Sequence, residues 1–225
     1  KLDPSLYSKD SIVVKALTEE YNISPKILNK TERIRTNSYY DLAVKKNKDQ
    51  YPFLIFSHGK GGYAKQNTVQ FEELVSNGYI VASIEHSYDA LITLFSDGST
   101  APYVSDNPKK VGGKINADKI THNKLISRVA DVRYLLDKVW FDKDYHPIFG
   151  MIDTSRVGMF GHSFGVATTI LTVQEDNRIK AIAGLDGWFE PISLEKLNKG
   201  VHVPFLHLGQ KEWRFNPMNY KKMDI

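Results

Sequence analysis

The sequence contains no cysteine and no long apolar run. Without cysteine there are no disulfides, no thiolate metal sites and no cysteine nucleophile. The lack of cysteine does not by itself identify the cellular compartment. The longest apolar stretches, such as residues 51–56 and 79–82, fall far short of the ~18 residues that a membrane-spanning helix needs. The sequence therefore predicts no such helix.

The chain also lacks a dense tract of one charge. It has 30 Lys and Arg residues against 26 Asp and Glu, a net charge of +4, and the basic residues are scattered, which gives little support to nucleic-acid binding. A hydrophobic content of 41% and a charged content of 25% are typical of a folded chain. Because residues 1–38 are polar and Lys-rich, we predict an N-terminal extension there and one domain over residues 39–225.

The chain begins at Lys1 rather than at an initiator methionine, so we expect that the true N-terminus has been removed. A lost signal peptide or anchor is compatible with this start. Together with the lack of cysteine, it favours a secreted or cell-envelope protein over the alternative, a cytoplasmic one.

Short apolar runs predict strands, and helical patterns separate them. The five clearest runs are residues 53–57, 79–84, 157–161, 179–185 and 203–208, and 39–44 is a further candidate. Helices are predicted at 67–77 and 119–140 and from near Phe164 and Ser193, whereas 87–118 is the least regular stretch and resembles a long loop. This alternation predicts an α/β fold, with a mainly parallel sheet covered by helices on both faces. Its chemistry should gather at the carboxyl ends of the strands.

A glycine-flanked serine follows the third of these strands. The segment Gly161-His162-Ser163-Phe164-Gly165 is a G-x-S-x-G between a strand and a helix, the setting of a nucleophile elbow. A serine on such a strained turn needs small neighbours so that its Oγ projects from the sheet. The alternative is that Ser163 only caps the following helix.

A glycine-rich loop, His58-Gly59-Lys60-Gly61-Gly62, follows the first predicted strand. An ester-cleaving serine needs backbone N–H groups facing the developing oxyanion, and glycines let a loop turn them inward. The predicted donors are the backbone amides of Lys60 and Phe164. A phosphate-binding loop is the alternative, but the Lys-Ser/Thr ending of a P-loop is missing.

With these motifs, the sequence resembles the plasma-type platelet-activating-factor acetylhydrolases and their bacterial relatives, a branch of the α/β-hydrolases near the dienelactone hydrolases. The similar segments occur in the family's order, at residues 51–59, 78–86, 161–165, 185–188 and 212–223. The resemblance implies a serine esterase that removes short or oxidised acyl groups from the sn-2 position of phospholipids. It implies no metal or other cofactor, a small ester or phospholipid as partner, and contact with a membrane surface.

Two carboxylates compete for the role of catalytic acid. Asp186 ends the strand 179–185, and its place in Leu-Asp-Gly-Trp is similar to that of the family's catalytic aspartate. Glu212 follows the next strand, where many other α/β-hydrolases have their acid. We favour Asp186, although an Asp-Gly pair is also compatible with a simple turn.

The catalytic histidine is harder to place, because the hydrolase order is Ser, acid, His. His207 is the last histidine and lies inside an apolar run, which favours a core position. His58 belongs to the glycine-rich loop 58–62, which we call the oxyanion loop, and His162 lies beside the nucleophile, so neither is placed to accept the Ser163 proton. We therefore expect the catalytic histidine beyond residue 225.

Aromatic residues near the predicted catalytic edge are candidates for an acyl pocket, with ordinary packing as the alternative; they are Phe95, Trp188, Phe189 and Trp213. The positive charge of the Lys60 side chain is suited to bind an anionic head group; the alternative is that this side chain is simply exposed to solvent. Two rival functions stay open, a non-catalytic α/β-hydrolase-like binding protein and an acyltransferase that uses the same nucleophile.

Overall fold

The computed structural model describes residues 11–22, 24, 26, 34–42, 50–212 and 216–223. Its helices are α1 (Ser11–Tyr21), α2 (Thr68–Ser76), α3 (Lys114–Phe141), α4 (Phe164–Glu175), α5 (Leu194–Asn198) and α6 (Pro217–Met223). Its strands are β1 (Tyr51–Ser57), β2 (Ile80–Ile84), β3 (Ile92–Leu94), β4 (Thr100–Pro102), β5 (Ile152–His162), β6 (Ala181–Leu185) and β7 (Phe205–Leu208). Two 3-10 turns, Lys143–Tyr145 and Pro147–Met151, join α3 to β5.

Five of the strands form one parallel sheet in the order β2-β1-β5-β6-β7. All five predicted apolar runs are in it, so the prediction of a parallel α/β sheet is confirmed. The long central strand β5 pairs with β1 on one side and with β6 on the other. The carboxyl ends of these three strands therefore meet at one edge of the sheet, where β5 leads directly into α4.

Helices cover both faces of this sheet. On one face α4 packs against β1, β5 and β6, and α3 packs beside α4. Ten consecutive residues of α4, 164–173, are buried there, which explains why its sequence has no polar face. On the opposite face α2 contributes Phe71, whose ring contacts Phe56 of β1 and Phe160 of β5. None of the helices in the described ranges is both long and apolar enough to cross a membrane.

Two local predictions were wrong. The stretch 87–118 was expected to be a loop, but it contains an antiparallel hairpin formed by β3 and β4. Three-residue strands are too short to leave a period in the sequence. The strand predicted at 39–44 is a turn at Tyr40 and Asp41, and residues 43 and 44 lie outside the described part. Asp41 has a φ of 54°, which an extended strand does not allow.

Candidate active site

Ser163 lies on a sharp turn between β5 and α4. Its φ of 52° and ψ of −114° are strained for a residue with a side chain. The flanking glycines make the turn possible, because a Cβ on Gly161 would overlap the backbone of Gly165, and a Cβ on Gly165 would overlap the Ser57 carbonyl. Ser163 itself is half-buried, so its side chain is accessible from the end of the sheet.

The turn that follows β6 is bonded to this serine. The Ser163 N–H donates to the Leu185 carbonyl at 2.9 Å, and the Trp188 N–H donates to the Ser163 carbonyl at 3.1 Å. Asp186 lies between these two contacts with a φ of 54°. Its carboxylate accepts hydrogen bonds from the Gln210 N–H at 3.2 Å and from Gln210 Nε2 at 2.8 Å. The structure thus brings the favoured acid close to the serine turn.

The glycine loop after β1 lies against the same turn. A Cβ built on Gly59 would be 3.5 Å from the Ser163 Cβ and 2.9 Å from His162 Nδ1. Gln66 joins the two segments, because its Nε2 lies 3.0 Å from His162 Nδ1 and its Oε1 accepts from the Gly59 N–H at 3.4 Å. The loop and the serine are therefore in direct contact.

The two predicted oxyanion donors are both unused amides. Phe164 is the first residue of α4, where helical N–H groups have no intrahelical acceptor. Neither its N–H nor that of Lys60 donates a hydrogen bond to a described residue. Two unpaired N–H groups beside the turn are suited to bind negative charge.

The Lys60 side chain is not simply exposed. Its Nζ lies 3.1 Å from Asp106 Oδ1 and 4.8 Å from the centre of the Trp188 ring. Asp106 also accepts from the Tyr103 and Thr121 hydroxyls, both at 2.9 Å. Burial alone would raise the pKa of Asp106, but these hydroxyls and the nearby lysines outweigh it and lower the pKa. Lys60 thus bridges the oxyanion loop and the segment before α3.

The four aromatic candidates have different surroundings. Trp188 is half-buried beside the serine turn, with its ring centre 5.4 Å from that of Phe164. Phe189 is 5% exposed and belongs to the core, where it packs against His207. Phe95 is 43% exposed at the turn of the β3–β4 hairpin. Trp213 lies outside the described residues.

No histidine ring hydrogen-bonds to Ser163 Oγ among the described residues, which include all seven histidines. His207 Nε2 instead accepts from the Gly187 N–H at 3.1 Å, inside the fold. Burial lowers the pKa of both His162 and His207, and the Asp186 charge opposes the shift. Glu212, the alternative acid, is exposed after β7, and none of its atoms bonds to a described residue.

Beneath the oxyanion loop is a buried polar network that the sequence analysis missed. Arg128 of α3 carries a charge, but only 1% of it is exposed. It forms a buried ion pair with Asp89, whose other carboxylate oxygen lies 3.0 Å from Lys124 Nζ. The signal was present in the spacing, since Arg128 follows Leu125 by three residues and precedes Val132 by four, on the apolar stripe.

A second part of this network involves His86. Its Nε2 lies 2.9 Å from the buried Ser57 Oγ and its Nδ1 lies 2.8 Å from Asp131 Oδ2. Burial lowers the pKa of His86, so a neutral ring donates to Asp131 and accepts from the Ser57 hydroxyl. The contacts from Ser57 to His86 and from His86 to Asp131 have the order of a Ser-His-Asp catalytic triad. However, Ser57 is 0% exposed, so no ester can reach it. In the described ranges, no three His, Asp or Glu side chains are grouped to hold a metal ion.

Comparison with known proteins gives consistent matches. A model of the family "Platelet-activating factor acetylhydrolase, isoform II" matches residues 18–225. The chain is 24% identical over 202 residues to the platelet-activating factor acetylhydrolase of Gallus gallus, covering 78% of this chain and 48% of that protein. It is 30% identical over 184 residues to that of Cavia porcellus, covering 74% and 41%. The chain thus spans less than half the length of these relatives.

A solved structure gives the fold. A ferulic acid esterase from Streptomyces cinnamoneus superimposes with a TM-score of 0.73 at 22% identity, covering 98% of this chain and 58% of that one. With the parallel sheet and the helices on both of its faces, this likeness confirms the predicted α/β-hydrolase fold.

Proposed function

Because the chain belongs to the platelet-activating factor acetylhydrolase isoform II family, matched over residues 18–225, we propose that it is a serine carboxylic-ester hydrolase. The observation that supports this most directly is the strained turn at Ser163, with a φ of 52°, beside two amides that have no partner among the described residues. A residue that only capped a helix would accept a hydrogen bond from the first turn, and the Ser163 side chain makes no such bond.

In the proposed reaction, Ser163 Oγ attacks the ester carbonyl while a base removes its proton. The carbonyl oxygen becomes negative and accepts hydrogen bonds from the Lys60 and Phe164 N–H groups, each worth ~3 kcal/mol in the transition state. The alcohol leaves with the proton, and the acyl group stays on Ser163. Water then attacks this acyl-enzyme, releasing the acid and the free serine.

The base is proposed to be a histidine oriented by the Asp186 carboxylate. Asp186 lies between Leu185 and Trp188, which hydrogen-bond to the Ser163 backbone, and its carboxylate is already held by Gln210. None of the described histidine rings bonds to Ser163 Oγ, so the expectation of a histidine outside these 225 residues stays a prediction. A secreted or cell-envelope location and contact with a membrane surface likewise stay predictions.

For the substrate, we propose short or oxidised acyl esters, including those at the sn-2 position of phospholipids. The names of the relatives from Gallus gallus and Cavia porcellus support an acetyl ester. The half-buried Trp188, whose ring packs against Phe164 next to the serine turn, is suited to line a compact acyl site. Hydrolysis of p-nitrophenyl esters should then decline as the acyl chain lengthens, and a steady rise toward long chains would contradict a short-acyl pocket.

Covalent labelling tests the proposed nucleophile. In the full-length protein, which includes the predicted histidine, we expect a fluorophosphonate probe to label Ser163. Ser163→Ala should abolish labelling and ester hydrolysis, and the control Ser155→Ala should retain both, because Ser155 is an exposed residue early in β5. Mass spectrometry of the labelled peptide identifies the site. A wild-type protein that takes no label would favour the binding-protein alternative, and acyl transfer to added alcohols that outcompetes water would favour the acyltransferase.

A further inference from the structure

The guanidinium of Arg128 holds the oxyanion loop from beneath. Its Nη1 donates to the His58 carbonyl at 2.5 Å and its Nη2 donates to the Gly59 carbonyl at 3.2 Å. Its Nε donates to Asp89 Oδ2 at 2.5 Å, and the backbone carbonyl of Asp89 in turn accepts from the Gly61 N–H at 3.0 Å. One buried side chain therefore fixes three residues of the loop, His58 and Gly59 directly and Gly61 through its ion-pair partner.

The Gly59 carbonyl is the most strongly held group in the loop. Besides Arg128, it accepts from the Gly62 N–H at 3.0 Å and from His58 Nδ1 at 2.7 Å. His58 Nε2 accepts from the His86 N–H at 3.2 Å, and burial lowers the pKa of His58, so the neutral ring has its proton on Nδ1. All three donors therefore act on the same carbonyl oxygen.

The direction of this carbonyl determines the direction of the next amide. In a planar trans peptide the N–H points opposite to the C=O, so the bonds that hold the Gly59 carbonyl downward aim the Lys60 N–H the other way. Hydrogen bonds at the carbonyl also polarise the peptide and make its N–H a stronger donor. A guanidinium stays protonated at any working pH, so the hydrogen bonds that Arg128 donates to the loop do not depend on pH.

We propose that Arg128 is a positioning residue of the esterase, which orients and polarises the Gly59–Lys60 peptide so that the oxyanion site is formed before the substrate binds. The inference rests on the proposed function, because it assigns Lys60 as an oxyanion donor. Arg128 would touch neither the substrate nor Ser163. Its effect would appear only where negative charge develops on the ester oxygen.

The test compares Arg128→Lys with Arg133→Lys. Lysine at position 128 keeps the charge beside Asp89 but cannot form the forked contacts to two carbonyls. Arg133 provides a matched control on the same helix, with 50% of its side chain exposed and only distant ion pairs, at 3.8 and 3.9 Å. The measurements are kcat and KM for p-nitrophenyl acetate, the affinity for a trifluoromethyl ketone, which forms an oxyanion on the serine, and the Tm.

We expect Arg128→Lys to lower kcat by about 100-fold, toward the loss caused by removing one oxyanion donor. The affinity for the trifluoromethyl ketone should fall in parallel while KM changes little, because the ground-state ester has no oxyanion. The control should match the wild type in all four quantities. If Arg128 had a purely structural role, Arg128→Lys would instead lower the Tm and the fraction of active enzyme. The ketone affinity would then not fall while KM stays unchanged.

The outcomes separate the two proposals. If the wild type takes no fluorophosphonate label, the proposed function fails. If it is labelled and active but folded Arg128→Lys has an unchanged kcat, the positioning role is overturned and the esterase stands. Arg128→Met, which fills similar space without donors, is the second variant and should lose at least as much kcat. If neither variant folds, Arg128 is a core residue and the positioning role is also rejected.

Discussion

Glu85 is a carboxyl residue whose ionisation is disfavoured by its position. Its side chain is 32% exposed, and burial raises its pKa to about 7, although the Ala64 N–H and the charges of Lys65 and Arg128 oppose the shift. Both carboxyl oxygens lie 3.2 Å from the Ala64 nitrogen, next to the oxyanion loop. The folded protein thus keeps a proton on Glu85 that the unfolded chain releases at a lower pH.

This shift predicts that Glu85 makes the fold less stable as the pH rises. A folded pKa above the unfolded value gives stability that is complete below about pH 4.5 and is lost as the pH rises toward about 7. Relative to Glu85→Gln, whose oxygen can still accept from Ala64, the wild type should lose about 2 kcal/mol of unfolding free energy between pH 5 and pH 8. This value is discounted for the screening of a partly exposed carboxyl group.

Urea unfolding of both proteins at pH 5 and pH 8 measures this difference. Asp131, whose pKa burial raises to about 6, adds a slope of the same sign to both proteins and cancels in the comparison. Glu195→Gln serves as control, because 80% of that side chain is exposed. A stability difference between wild type and Glu85→Gln that is the same at both pH values would show that Glu85 is already ionised in the fold.

Single residues were predictable where the constraint is local. Gly161, Ser163 and Gly165 could be identified because a sharp strand-to-helix turn fixes which residue types fit at neighbouring positions. The contacts of Arg128 could not, because its partners Asp89 and His58 are 39 and 70 residues away in the chain. Pairing across such distances depends on the packing of α3 over the sheet, which no local pattern encodes.

At the scale of elements, the junction between β5 and α4 is closely packed against the end of β1. Gly165 lies in the first turn of α4, and a Cβ there would overlap the Ser57 carbonyl and lie 3.0 Å from the His58 carbonyl. These carbonyls belong to the end of β1 and to the oxyanion loop, so a side chain at position 165 would displace either the start of α4 or that loop. The glycine is therefore needed by the neighbouring element as much as by its own.

We expect Gly165→Ala to destabilise the fold by about 1–3 kcal/mol, the usual cost of overpacking, and to lower kcat by displacing the oxyanion loop. Thermal unfolding and p-nitrophenyl acetate hydrolysis measure the two effects. Gly150→Ala is the matched control, because a Cβ at that position would have no atom within 4 Å. If both variants had the same Tm and kcat as the wild type, the close approach of α4 to β1 would be relaxed in solution.

The sequence predicted the elements best where they are long and periodic. Helix α3 was expected at 119–140 and spans Lys114–Phe141, and each of the five apolar runs overlaps a strand. The hairpin β3–β4 was missed because its six strand residues mix buried Thr93 and Ala101 with exposed positions, without a run of apolar residues. Its stability comes from pairing with its own partner strand, which composition does not reveal.

For the whole molecule, continuous apolar strands predicted helices on both faces, but they did not predict that the coverage is unequal. Among the described helices, α3 and α4 lie over one face, whereas α2 covers the other near β1 and β5. Beyond α2, over β5 and β6, is an apolar groove of about 580 Å³. On β7, Leu206 and Leu208 lie on the same face of the sheet as this groove, and they are 59% and 58% exposed. The exposed residues of β7 are apolar like the buried ones elsewhere in the sheet, so the sequence pattern does not record the difference.

This asymmetry predicts unequal costs for the same substitution in this 225-residue chain. Leu136 of α3 is 0% exposed, so Leu136→Ala should cost about 2–5 kcal/mol through lost burial and a residual cavity. Leu206 is 59% exposed, so Leu206→Ala removes little buried area and should cost less than about 1 kcal/mol. Urea unfolding of the two variants beside the wild type measures both values. Equal losses would mean that the outer face of β7 is covered in solution, by another copy or by more of the protein, and that the core extends to both sides of the sheet.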